Sequence, residues 1–137
     1  MATELRLPTI SGLPPANSFE MTRIVEQGLP TECIEELKAK GLTFTEIAQI
    51  VISPRTLKHR RARGERLSTE ETERFLRVVR VLDLAERIFG NREKSLGWLR
   101  TKDELMDNRV SLSLIGTEAG AKLVEGQLWG IAEGMYS

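Results

Sequence analysis

The chain has 137 residues, and its 20 Lys and Arg balance 20 Asp and Glu, so the formal net charge is zero. Hydrophobic residues at 40% and charged residues at 29% are the proportions of a soluble globular chain of one or two small domains, not of a chain disordered throughout. A single cysteine, Cys33, excludes an internal disulfide and a Cys-rich zinc site, and a single histidine, His59, excludes a His-cluster metal site.

No apolar run approaches the roughly 20 residues of a membrane span. Residues 1–11 lack the basic start and apolar core of a signal peptide, so a cytoplasmic location is expected. Residues 1–17 hold Pro8, Gly12, Pro14 and Pro15 without any period and read as a flexible leader. Ser18 fits an N-cap, and Phe19, Ile24 and Val25 give a short amphipathic helix ending near Gly28. Pro30 and Thr31 open the next helix, with Cys33, Ile34 and Leu37 on one face and Gly41 as its stop. Thr43 and Glu46 form a capping box for a helix carrying Phe44, Ile47, Ala48 and Val51. Ser53 is an N-cap with Pro54 at the first helical position, and that helix runs to about Arg63 and stops at Gly64.

Ser68 and Glu71 make a second capping box, behind which the longest helix runs over about residues 69–89. Its apolar residues, from Phe75 to Phe89, cover more than one face, so it must connect two layers or make a subunit contact. Gly90 ends it, and Asn91 caps a helix holding Leu96, Trp98 and Leu99, of which Trp98 reads as core. Thr101 and Glu104 suggest a third capping box over a turn at Leu105 and Met106. Leu112, Leu114 and Ile115 read as a helical turn, and Gly116-Thr117 starts a last helix with Leu123, Val124, Leu128 and Ile131. No segment alternates with period two for long enough to make a strand, so the expected class is all-α.

The zero net charge hides an asymmetry. Residues 55–66 hold six Lys or Arg against one acid, Glu65. A local basic block in a neutral chain points to one anionic partner on one face. Two short helices with a tight turn at Ile52-Ser53, the second one basic, form a helix-turn-helix arrangement. With Leu57 as buried anchor and about 100° per residue, Arg55, His59 and Ala62 lie opposite it. Arg55 and His59 are the candidates for base edges in the major groove. Thr56, Lys58 and Arg63 could reach bases or phosphates. Arg60 and Arg61 flank Leu57 and would hold phosphates or pair with acids of the scaffold. The competing reading is a solvated charged helix. A lone domain of this kind binds weakly at cellular salt, so a dimer on paired half-sites is expected.

An enzyme is poorly supported. The chain has no G-x-x-x-x-G-K loop and no H-E-x-x-H, and a Ser-His-Asp set has only His59 to draw on. Glu35-Glu36 and Glu70-Glu71 sit at helix starts, where they favour the macrodipole. No cofactor or metal is expected.

Three motifs, in order, carry a family resemblance. The run SPRTLKHRRARGERLSTEETERFLR from Ser53 resembles the Xre-like antitoxins of the Xre/MbcA/ParS group. The stretch IFGNREKSLGWL, Ile88 to Leu99, resembles their second region, and SLIGTEAGAKLVEGQLWGIAEG, Ser113 to Gly134, resembles their C-terminal pattern. The resemblance spans about residues 29–137. The family usually has a Gly-rich loop with a proline before the last helix, where this chain reads DNRVSL, Asp107 to Leu112.

The resemblance implies an antitoxin that binds a RES-domain toxin, an enzyme destroying cellular NAD, and covers its active site with the C-terminal region. It also implies that the helix-turn-helix represses the operon's own promoter, and it fits a homodimer or higher hetero-oligomer without membrane association. Taken with the residue pattern, the expected organisation is a leader (1–17), an Xre-like helix-turn-helix domain (18–67), a connecting or oligomerisation helix (68–90) and a C-terminal helical toxin-binding domain (91–137).

The chain end supports that role physically. Leu128, Trp129, Gly134, Met135 and Tyr136 are candidate toxin contacts, because aromatic and Met side chains favour interface cores. Glu125 and Glu133 could offer negative charge to a pocket that takes dinucleotide phosphates. One rival reading is a plain helix-turn-helix regulator with a C-terminal dimerisation domain; for the chain end itself, the bland reading is that Trp129 packs into the protein's own core and the tail frays. Another rival is a chain that keeps toxin binding but has lost DNA binding; the intact Ser53-Pro54 cap speaks against it.

Overall fold

The computed structural model describes Pro14 and residues 17–134. The expected leader lies outside the described residues apart from Pro14 and Asn17, and so do the candidates Met135 and Tyr136.

The described residues form seven α-helices: α1 (Phe19–Gln27), α2 (Ile34–Ala39), α3 (Phe44–Ile50), α4 (Pro54–Arg63), α5 (Thr69–Phe89), α6 (Arg92–Leu99) and α7 (Glu118–Gly134). Five starts are set by the side chains the sequence singles out. Ser18, Thr43, Ser53, Ser68 and Asn91 each accept a backbone N–H three residues on, at 2.9–3.2 Å. At Thr43 and Ser68 the box is closed by Glu46 and Glu71, whose carboxylates accept the cap N–H. Gly64 and Gly90 end α4 and α5 in the left-handed conformation.

α5 is the centre. Thr72, Phe75, Val78, Val79, Val81, Leu82, Leu84 and Ala85 are all buried along it. α1, α6 and α7 pack against it within the same chain. Most of its apolar girdle is thus covered within the chain, the connecting role expected of it, while Leu76, Ile88 and Phe89 are only partly buried. The core continues through Ile34, Leu37, Ile47, Ile50 and Leu57 on one side and Leu99, Ile115, Val124 and Leu128 on the other.

Arginines tie the layers together. Arg92 donates to the Ala39 carbonyl at 2.8 Å, and Arg100 donates to the Gly41 carbonyl and to both oxygens of Glu46 at 2.7–2.8 Å. Both contacts fasten α6 to the helices before α4. Arg77 reaches the Gly116 carbonyl and Glu118, and Arg80 reaches Glu118 and Glu125, joining α5 to α7. Gly28 (φ 82°) lies so close to Leu67 that a Cβ there would overlap the Leu67 carbonyl oxygen.

Three local expectations change. A two-residue antiparallel hairpin, β1 (Lys102–Asp103) with β2 (Arg109–Val110), follows α6; it is too short to show a period in the sequence. The Thr101–Glu104 box does not form. Asp103 caps the following turn instead, accepting from the Leu105 N–H, while the Thr101 hydroxyl donates to the Gly97 carbonyl. Phe44 and Leu123, expected on apolar faces, are 58% and 51% exposed. Lys38 Nζ sits 3.6 Å from the Phe44 ring centroid, a cation–π contact on the surface.

Candidate nucleic-acid and toxin interfaces

α3 and α4 form the expected helix-turn-helix, with Leu57 buried as the anchor of α4. Ser53 Oγ accepts the Thr56 N–H and donates to Thr56 Oγ1, so the cap also orients Thr56. The seven predicted DNA-binding residues separate into two groups. Arg55, Thr56, Lys58 and His59, together with Ala62, line one shallow exposed hollow. The side chains of Arg55, Lys58 and His59 enter no ion pair among the described residues.

Arg60, Arg61 and Arg63 are engaged with the scaffold. Arg60 donates Nε and Nη2 to the two oxygens of Glu71 at 2.7 and 3.0 Å, and Nη1 to Glu65 at 3.1 Å. Arg61 pairs loosely with Glu35 at 3.4 Å, and Arg63 lies 4.0 Å from Glu65. Of the two roles the sequence left open for Arg60 and Arg61, this geometry is the pairing with scaffold acids.

Glu71 deserves its bidentate partner. It is only 7% exposed, and burial pushes its carboxyl up. The hydrogen bonds from Arg60 and the Ser68 N–H, with the Arg60 charge, pull it further down, to below the ordinary carboxylate value. Glu46 ends in the same direction, held down first by the Arg100 hydrogen bond and opposed by burial.

The C-terminal candidates also separate. Leu128 is fully buried against the chain's own core. Glu125 is bound to Arg80 at 2.8 and 3.1 Å, which spends its charge on the α5–α7 contact. Trp129 is 51% exposed, Glu133 is exposed, and Gly134 is the last residue of α7. Sequence reasoning missed Leu123 on this exposed side. The signal was present: with Ala121, Val124 and Leu128 on the core face, a residue one position from Val124 is turned about 100° away. Gly126 and Gly130 border open space, so no packing inside the chain requires them. Trp98, expected in the core, is half-buried at its edge, its ring 5.9 Å from that of Phe89.

Among the described residues no group of three His, Cys, Asp or Glu could hold a metal, and no helix is long and apolar enough to cross a membrane.

Comparison with known proteins bears on both faces. Residues 20–80 match the antitoxin Xre-like helix-turn-helix domain, and residues 84–134 match the antitoxin Xre/MbcA/ParS C-terminal toxin-binding domain. The chain is 30% identical over 129 residues to an antitoxin Xre of Yersinia enterocolitica, covering 92% of this chain and 87% of that relative. It is 28% identical over 130 residues to an antitoxin Xre of Pseudomonas putida, covering 94% and 82%. To an antitoxin Xre of Photorhabdus laumondii it is 26% identical over 132 residues, covering 92% and 87%. An all-α chain with a helix-turn-helix at one end and the toxin-binding domain at the other, this protein belongs to the Xre-type antitoxin family.

Proposed function

We propose that this chain acts by binding, not by catalysis, in the cytoplasm: it neutralises a RES-domain toxin that degrades NAD and represses its own operon through α4. The observation that carries the toxin half is the exposed side of α7. Trp129 and Leu123 are each 51% exposed on the outward half of this helix, whose other half is buried in the core. Glycines in a helix interior cost about 1 kcal/mol each relative to alanine, and Gly126 and Gly130 have no internal neighbour to justify that cost. Close approach of a partner to this side of the helix would justify it. Trp129 is the anchor, Glu133 and Gly134 continue the surface towards Met135 and Tyr136, and Leu128 and Glu125 support it from behind. The autorepressor half rests on the open Arg55, Thr56, Lys58, His59 face.

The test is co-expression with a candidate RES-domain toxin from the chain's own locus, scoring growth, cellular NAD and co-purification. The full chain should restore growth and NAD and co-purify with the toxin. Truncation after Leu128 should abolish both, and Trp129→Ala should weaken binding by about 10-fold or more, as buried aromatic anchors do. A full chain that neither binds nor rescues would sink the toxin reading and leave a stand-alone regulator. A dimer on paired half-sites remains part of the proposal.

A further inference from the structure

The hairpin after α6 places a cation beside the helix-turn-helix. Asp107 and Asn108 both take positive φ (62° and 59°), which reverses the chain, and the Asn108 N–H donates to the Asp103 carbonyl at 2.9 Å. The register sets Arg109 opposite Asp103 and Val110 opposite Lys102. Side chains alternate along a strand, and Val110 packs on the core, so Arg109 points outward and is exposed. Asp103, which faces it across the hairpin, accepts the Leu105 N–H on one oxygen and caps the turn there. Arg109 forms no ion pair among the described residues.

Arg109 lines an open groove of about 490 Å³ between the two functional regions, with Gln49, Ser53, Thr56, Arg74 and Thr117. The polar side chains of that lining are guanidinium, hydroxyl and amide groups, over an apolar floor that includes Ile50, Ile52 and Leu114. Its one acid, Glu71, is already neutralised by Arg60. Arg74 spends one nitrogen on the Val51 carbonyl at 3.1 Å and keeps the rest of its fork. Thr56 lines this groove and also the basic hollow of α4, so the two surfaces are continuous. A polyanion lying on α4 therefore passes the mouth of the groove.

We propose that Arg109, on the hairpin of the toxin-binding domain, contacts a DNA phosphate flanking the α4 site, with Arg74 behind it. The DNA footprint then extends beyond the helix-turn-helix. The proposal rests on the reading of α4 as the DNA-binding helix.

The experiment uses the full chain, a duplex from its own promoter region and an unrelated duplex of equal length. Binding is followed by fluorescence anisotropy from low to moderate salt for wild type, Arg55→Ala, Arg109→Ala and Lys102→Ala. Lys102 removes the same charge from the neighbouring strand, outside the groove. Arg109→Ala should weaken both duplexes to a similar degree, several-fold, and reduce the salt slope by about 0.9, the share of one phosphate. Lys102→Ala should stay within about two-fold of wild type by the same reasoning, since it makes no contact. If Arg109→Ala behaves like Lys102→Ala, the phosphate contact is overturned while the α4 reading stands on the Arg55→Ala loss. If wild type binds neither duplex, both fall. A titration with inorganic phosphate alone separates the remaining source: a thermal shift abolished by Arg109→Ala with DNA binding intact would make the groove a free-anion site and overturn the proposal.

Discussion

Glu71 uses one pair of oxygens for two jobs, capping α5 and holding Arg60 of α4. Removing Arg60 would leave a buried carboxylate with one backbone partner, so Arg60→Ala should destabilise the fold by about 1–3 kcal/mol, read by chemical denaturation. The acid limb follows from the direction of the shifts. Glu71, Glu46 and Glu118 all sit below the ordinary value of 4.5 in the folded chain. For Glu118 burial pushes up and the Arg77 and Arg80 contacts outweigh it. A carboxyl held below its unfolded value stabilises the fold above that value and loses the contribution as pH falls through the folded one. The Tm should therefore be level from neutrality to about pH 5 and fall below about pH 4.5, and Glu71→Gln should shallow that fall while lowering the Tm at neutrality. A calorimetric pH series checks both. Cys33 is fully buried, and burial first, then Glu32 and Glu36, push its thiol up to about 12. A thiol reagent at pH 8 should react with the native chain only at the rate at which it opens, which denaturant-dependent labelling measures.

On α4, each candidate contact has its own expected signature. Arg55→Ala and His59→Ala should cost about 1–3 kcal/mol on the operator and blur discrimination against unrelated DNA, whereas Lys58→Ala should weaken all duplexes alike.

Helices were legible in the sequence wherever a side chain marks their start. Five caps and two closed boxes appear as read, because a Ser, Thr or Asn before an apolar run has one good use. Thr101–Glu104 shows the limit: Asp103, two residues nearer, wins the same turn. The long α5 was legible too, but not what covers it, since apolar residues on several faces fit internal layers and a subunit contact equally. The α4 face was legible because Leu57 alone fixes its phase. The α7 face was less so: Leu128 beside Trp129 reads as one patch until the helix phase puts the first in the core and the second outside. Contacts between distant residues, such as Glu125 with Arg80, leave no local pattern. At Gly120 a Cβ would run into the Leu114 carbonyl oxygen, which lets α7 start tight against the preceding turn. Gly120→Ala should destabilise by about 1–3 kcal/mol, whereas Gly126→Ala should be neutral or slightly stabilising, a contrast visible in thermal melts.

At the scale of the molecule, the DNA face and the α7 surface belong to one packed body. Arg92 and Arg100 clamp α6 onto α2 and α3, and Arg77 and Arg80 clamp α7 onto α5. On the proposed reading, a toxin bound to α7 meets a scaffold already fixed relative to α4. Whatever factor toxin adds to operator affinity, operator must add to toxin affinity. Titrating each ligand in the presence and absence of the other should return the same ratio.

The matched domains end at residue 80 and begin at residue 84, in the middle of the unbroken α5, a rod of 21 residues and about 30 Å. A gene exchanges modules at linkers, and here the seam runs through buried Val81 and Leu82. Cutting or swapping at that seam would tear the shared core. On the proposed reading, promoter recognition and toxin silencing are therefore carried by one folding unit rather than by two separable modules.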